Sequence, residues 1–207
     1  MQKLQAIDIN LRYLIDNFGL QRVRNSEFFQ EWQEKLPEVT DSEKQLLDRV
    51  QDIYFNLVDN PPVLENPVKL TIISPILFIA GLYEFPFPVK AENSISIQQE
   101  DEGRIIEGTI DILNMKANLW VTVIESKQLS FSTDEALAQL LTYMLADLNP
   151  ESPTFGMIAT GANFNFVKLV RGETPQYARS AEFVISNPGN ELYRVLQILK
   201  RLSQLPD

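Results

Sequence analysis

Apolar side chains in the first part of the chain recur every three or four positions. Leu4, Ile7, Leu11, Leu14, Ile15 and Phe18 form the stripe of an amphipathic helix, and Gly19 follows as a C-terminal stop. A second helix is expected from Asn25 through Leu36, with Phe28, Phe29 and Trp32 on its apolar side. Thr40, Asp41, Ser42 and Glu43 read as a capping box. It opens a third helix that carries Leu46, Leu47, Val50, Ile53, Tyr54 and Leu57. Asp59, Asn60, Pro61 and Pro62 end that helix, because proline has no N–H and its ring clashes with the preceding turn. Residues 1–60 are thus expected to be a helical lead-in packed on a main core formed by residues 61–207.

The period changes further on. Asn66 is expected to cap a helix with Pro67 at its first position, running toward Gly81 and bent at Pro75. Phe85, Pro86, Phe87 and Pro88 make an irregular connector whose aromatics pack on the core. Ile95 and Ile97 alternate with serines, which predicts a first strand over Val89 to Gln99. A turn at residues 100–103 leads to a second strand from Arg104 to Leu113, and another turn near Asn114 to Asn118 leads to a third from Leu119 to Lys127. Trp120, Val121, Val123 and Ile124 make the third strand apolar on both faces, as a central strand covered by helices would be. Ser132 to Glu135 is a second capping box, opening a helix to about Leu148. Phe155 to Thr160 is then a short apolar strand parallel to the third. Strands over Phe164 to Arg171 and Gln176 to Ser186 follow, and a terminal helix from Asn190 to about Leu205 closes a mixed α/β (α+β) chain.

The 207 residues are enough to bury a sizeable core without covalent staples. The chain has neither cysteine nor histidine, which excludes disulfides, zinc sites of the Cys/His kind and Ser-His or Cys-His catalysis. Any metal must therefore take oxygen ligands. No basic, apolar and small-residue leader opens the sequence, and the longest apolar run, Leu70 to Leu82, is too short for a bilayer. A cytoplasmic protein without a membrane partner is the expectation. The net charge of −10 argues against tight binding of nucleic acid over the whole surface, though a local basic patch and a bound cation can serve a single cleft.

One stretch carries chemistry. On a strand from Leu119 to Lys127, Glu125 and Lys127 project to one side, while Ile124 and Ser126 project to the other. Asp111, near the end of the preceding antiparallel strand, can lie beside Glu125. Two converging carboxylates repel unless one keeps its proton or a divalent cation joins them, so the pattern reads as a Mg²⁺ site with a lysine next to it. Gln139 and Tyr143 are four apart and share a helix face. Glu92 is a further acid on the first strand, and Lys168, Arg171 and Arg179 are bases on late strands that can flank a phosphate cleft or merely solvate the surface.

Asp111, Glu125-Ser126-Lys127 and the Gln139-x-x-x-Tyr143 helix, in that order, resemble the PD-(D/E)XK nuclease superfamily, and within it the RecB-like and type I restriction-subunit branches. The resemblance covers roughly Glu65 to Gly161. It implies a restriction-endonuclease-like αβββαβ core with an N-terminal helical extension. It also implies Mg²⁺, for which Mn²⁺ can substitute, held by Asp111, Glu125 and the backbone carbonyl of Ser126, with Glu65 as an assisting acid. Lys127 would position the attacking water and stabilise charge on the phosphate, Gln139 would orient that water or the phosphate, and Tyr143 would hold the neighbouring strand or the substrate backbone. The implied activity is hydrolysis of DNA phosphodiester bonds in restriction or repair, by a homodimer or a larger complex. Two other readings stand beside it: a nuclease fold that binds nucleic acid or protein without cutting, and an α+β interaction subunit in which Asp111, Glu125 and Lys127 form an internal ion pair.

Overall fold

The computed structural model describes residues 2–5, 8–63, 65–85, 87, 93–99, 104–110, 112–116, 119–123, 133–145 and 152–205. Local signals set several elements. Asn10 caps helix α1 (Leu11–Phe18) by accepting from the Tyr13 N–H at 2.9 Å, and Gly19 closes it in the left-handed conformation at φ 65°. The helix is therefore shorter than the apolar stripe suggested. Leu4 lies instead in strand β1 (Gln2–Gln5), which pairs parallel with β4 (Arg104–Ile110). The ladder groups at the edge of β4 need partners, and that demand overrides the helical spacing of Leu4. Strand β2 (Gln21–Arg22) follows.

The second expected helix is a single 3-10 turn over Ser26–Phe29, capped by Asn25. Beyond it, Lys35 takes φ 53°, and side chains from the C-terminal helix claim the carbonyls that a longer helix would use. Arg194 donates to Trp32 and Gln33 carbonyls at 3.4 Å, and Gln197 donates to the Pro37 carbonyl at 2.9 Å. Helix α2 (Asp41–Asp59) has its full capping box, with Thr40 and Glu43 bonded reciprocally.

Glu65–Val68 (α3), a π-helical stretch Lys69–Ile73 and α4 (Ser74–Ile79) follow in direct succession. Pro75 cannot donate to the turn before it, and the backbone there widens to bonds five residues apart, with the Ser74 N–H reaching the Lys69 carbonyl. Glu65 is the first residue of α3, two residues before the Pro67 start that an Asn66 cap implied. Of the connector aromatics, Phe87 packs on the core while Phe85 is 99 % exposed.

The second expected strand is two. β3 (Asn93–Gln99), β4 and β1 make a three-stranded sheet, in the order β1-β4-β3. β5 (Ile112–Lys116) instead begins a larger one. With β6 (Leu119–Val123), β7 (Thr154–Ala159), β8 (Asn163–Val170), β9 (Gln176–Arg179) and β10 (Phe183–Val184), it forms a seven-stranded mixed sheet ordered β2-β9-β8-β7-β6-β5, with β10 paired to β8. β6 and β7 are parallel, as are β2 and β9; the other neighbours are antiparallel.

Helices cover both faces of this sheet. Alternation along the strands sends Phe155, Met157, Phe164 and Phe166 into a core with α2, α4 and α6 (Leu192–Ser203). Ile158, Val167 and Leu169 face a second core with α1 and α5 (Thr133–Leu145). Gly156 lets α5 come close to β7, because a Cβ there would meet Leu140 at 2.8 Å. No helix among the described residues is long and apolar enough to cross a membrane.

Candidate functional site

The described strands flank the motif in the chain. β5 opens at Ile112, opposite Thr122, and β6 ends at Val123, beside Ala159 on β7. Asp111 precedes Ile112 directly, and Glu125 follows Val123 by two residues. Asp111, Glu125, Ser126, Lys127 and Glu92 themselves lie outside the described residues. Among the described residues no three acidic side chains form a group able to hold a metal ion, and the expected carboxylate pair is not among those residues.

Helix α5 connects β6 to β7 and carries the two remaining site candidates. Its apolar face, with Leu137, Leu140, Leu141 and Met144, is buried on the sheet. Gln139 is half-buried and donates through Nε2 to the Tyr143 hydroxyl at 3.4 Å. Tyr143 is only 1 % exposed and belongs to the core, so it is not the surface group its polarity suggests. Burial pushes its phenol above the usual range, against a smaller opposing pull from the Gln139 bond. Tyr143 is thus neutral at physiological pH and serves as a fixed polar anchor for Gln139.

The late-strand bases have separate surroundings. Lys168 pairs with Glu31 at 2.5 Å, the two side chains being 12 % and 19 % exposed. Its ammonium also lies over the rings of Phe28 and Phe155, at 5.5 and 5.8 Å. It is half-buried in the wall of a cleft that Glu27, Glu34, Lys35 and Arg201 also line, with its charge already matched by Glu31. Arg171 donates from Nη2 to the Thr154 hydroxyl at 3.3 Å.

Arg179 lines a cleft of about 320 Å³ together with Arg22, Arg24, Asn25, Ser26 and Trp32. Arg22 and Arg24 are not apparent as site residues in the sequence, because the pairing that joins them to Arg179 links positions far apart in the chain. The one local signal was Arg22-Val23-Arg24, two bases two apart at a strand end in an acidic chain. No protein-family model matches the chain, and no curated protein matches it, so the resemblance to the nuclease superfamily rests on the residues quoted above.

Proposed function

We propose that this protein is a Mg²⁺-dependent phosphodiesterase acting on DNA, built on a restriction-endonuclease-like core. The observation that carries the reading is the order and direction of the elements around the motif. β5 antiparallel to β6, then α5, then β7 parallel to β6 agree with the ββαβ part of an αβββαβ arrangement, whereas β3 and β4 pair in a separate sheet. The Ile112–Thr122 pair directs the chain before β5 and the chain after β6 to one edge of the sheet, which favours the meeting of Asp111 and Glu125.

The donor set fits the cation: two carboxylates and a carbonyl are hard oxygen ligands, and a chain free of cysteine and histidine offers no thiolate or imidazole beside them. Asp111, Glu125 and the Ser126 carbonyl would hold Mg²⁺, with Glu65 at the start of α3 as an additional acid. When bound, the ion supplies Lewis acidity at the scissile phosphate. Lys127 would donate to the non-bridging oxygens as negative charge grows on them, and its compact ammonium suits a target with no single direction. Gln139, fixed by Tyr143, would orient the attacking water or the phosphate. Cutting both strands of a duplex would take two such sites and hence two copies of the chain.

The acidic net charge favours a second reading, a nuclease fold that binds without cutting. Calorimetric titration with Mn²⁺ followed by incubation with plasmid DNA separates the two. The wild type is expected to bind Mn²⁺ and nick the plasmid, and Glu125→Ala to lose both. Metal-dependent nicking at full rate by Glu125→Ala would sink the mechanism, and metal binding without nicking would leave the binding protein.

A further inference from the structure

The acidic surface is interrupted by the arginine cleft. Acidic residues outnumber basic ones 28 to 18 in the chain, yet this cleft is lined by three arginines and by no Asp or Glu. Its construction is specific. Gly19 turns the chain out of α1, and β2 then adds in parallel to β9, with the Val23 N–H donating to the Tyr177 carbonyl at 2.8 Å. Arg22 and Arg24, two apart on this extended segment, are both exposed and have no ion-pair partner among the described residues. The wall opposite is firm: Phe29 is buried against Phe155, and the Trp32 ring packs edge-on to Phe183.

The cleft also stands in a defined relation to the motif. β2, β9, β7 and β6 all run in the same direction, so their C-terminal ends share one edge of the sheet. Arg179 is in register, through Val167 and Gly156, with Trp120, three residues short of the end of β6 at Val123. At ~4.8 Å between strands and ~3.3 Å per residue, the Arg179 backbone lies about 17 Å from Val123. A duplex covers that length in about five base pairs, at ~3.4 Å of axis each.

We propose that Arg22, Arg24 and Arg179 bind the phosphodiester backbone of DNA, about five base pairs along the duplex from the end of β6 that leads to Glu125. The inference deepens the function proposed above and rests on it for the identity of the ligand. Guanidinium forks match phosphate oxygens two at a time, whereas a scattered solvating charge needs no such convergence. These contacts fix the register of the strand along the sheet edge. Phosphate contacts position a nucleic acid without reading its sequence, so the cleft adds affinity equally for any sequence.

The test is fluorescence anisotropy of a labelled duplex of about 20 base pairs with the full chain, in chelator, over a range of salt concentrations. The Arg22→Gln/Arg24→Gln variant is expected to bind about tenfold more weakly and to lose about 1.8 from the log–log salt slope, at ~0.9 per phosphate contact. Arg22→Lys/Arg24→Lys should recover most of the slope. Unchanged thermal unfolding of the glutamine variant separates lost contacts from lost fold. Equal affinity and slope for wild type and glutamine variant would overturn the inference, as would a wild type that binds no DNA. Parallel cleavage assays with Mg²⁺ keep the two proposals apart. A glutamine variant that loses binding, beside a wild type that never cuts, upholds the cleft and removes the nuclease. Cutting by a glutamine variant that binds normally does the reverse.

Discussion

A methyl group on residue 161 would stand 2.4 Å from Cγ1 of Val68, on a backbone held at φ +84°. Gly161 thus answers two demands, a left-handed turn between β7 and β8 and close approach to buried Val68 on the helical segment. Gly161→Ala is expected to lower stability by about 2–4 kcal/mol in urea unfolding with an unchanged denaturant slope. Gly189→Ala, at φ +88° with nothing within 4 Å of the added carbon, carries the backbone cost alone, about 1 kcal/mol. The difference between the two variants isolates the Val68 contact. Lys168 shows the opposite case, a residue whose charge suggested an outward role. Its ammonium is matched by Glu31 and two aromatic rings, and a base read from sequence carries no mark of whether such a partner exists.

At the scale of elements, what was legible followed from whether the signal was local. The capping box of α2 is complete within four residues, and the helix begins where it says. Thr40→Ala should cost about 1 kcal/mol, read from urea unfolding, because the Glu43 N–H then loses its acceptor. Gly19, the break after Asp59, and the parallel pairing of β7 with β6 were legible for the same reason, each resting on turn chemistry or a short apolar run. β1, the 3-10 turn at Ser26–Phe29 and the separation of β4 from β5 were not. β1 finds its partner strand about a hundred positions away, and the side chains that donate to the Trp32, Gln33 and Pro37 carbonyls lie about 160 positions away, which no local window contains. The Gln139–Tyr143 contact was legible from its spacing, whereas the burial of Tyr143 was not, since polarity pointed the other way. Asp111, Glu125, Ser126 and Lys127 remain expectations of the motif.

For the whole molecule, α2 is tied to the C-terminal helix by carboxylates. Asp48 accepts from the Tyr193 hydroxyl at 2.5 Å and from Asn190 at 2.9 Å, and these bonds hold its carboxyl below the usual range. The same bond, with burial, pushes the Tyr193 phenol up to about 12. Burial raises the Glu43 carboxyl, but bonds from Lys200 and Thr40 outweigh it and leave the group lowered. Both acids therefore bind protons less readily folded than unfolded. Their contribution is complete above the unfolded value near pH 4 and is lost as pH falls through the folded value. Urea midpoints are expected to decline below about pH 4, and Asp48→Asn should show a lower midpoint at neutral pH with a shallower acid decline. An equal acid decline in wild type and variant would place the sensitivity in other carboxylates. The pairing of β2 with β9 also has a consequence in time. Residue 21 finds its partner only at residue 176, so during synthesis the early strand waits while most of the chain emerges. The arginine cleft is therefore among the last features to assemble, and a chain halted before β9 would lack it however well the earlier elements had folded.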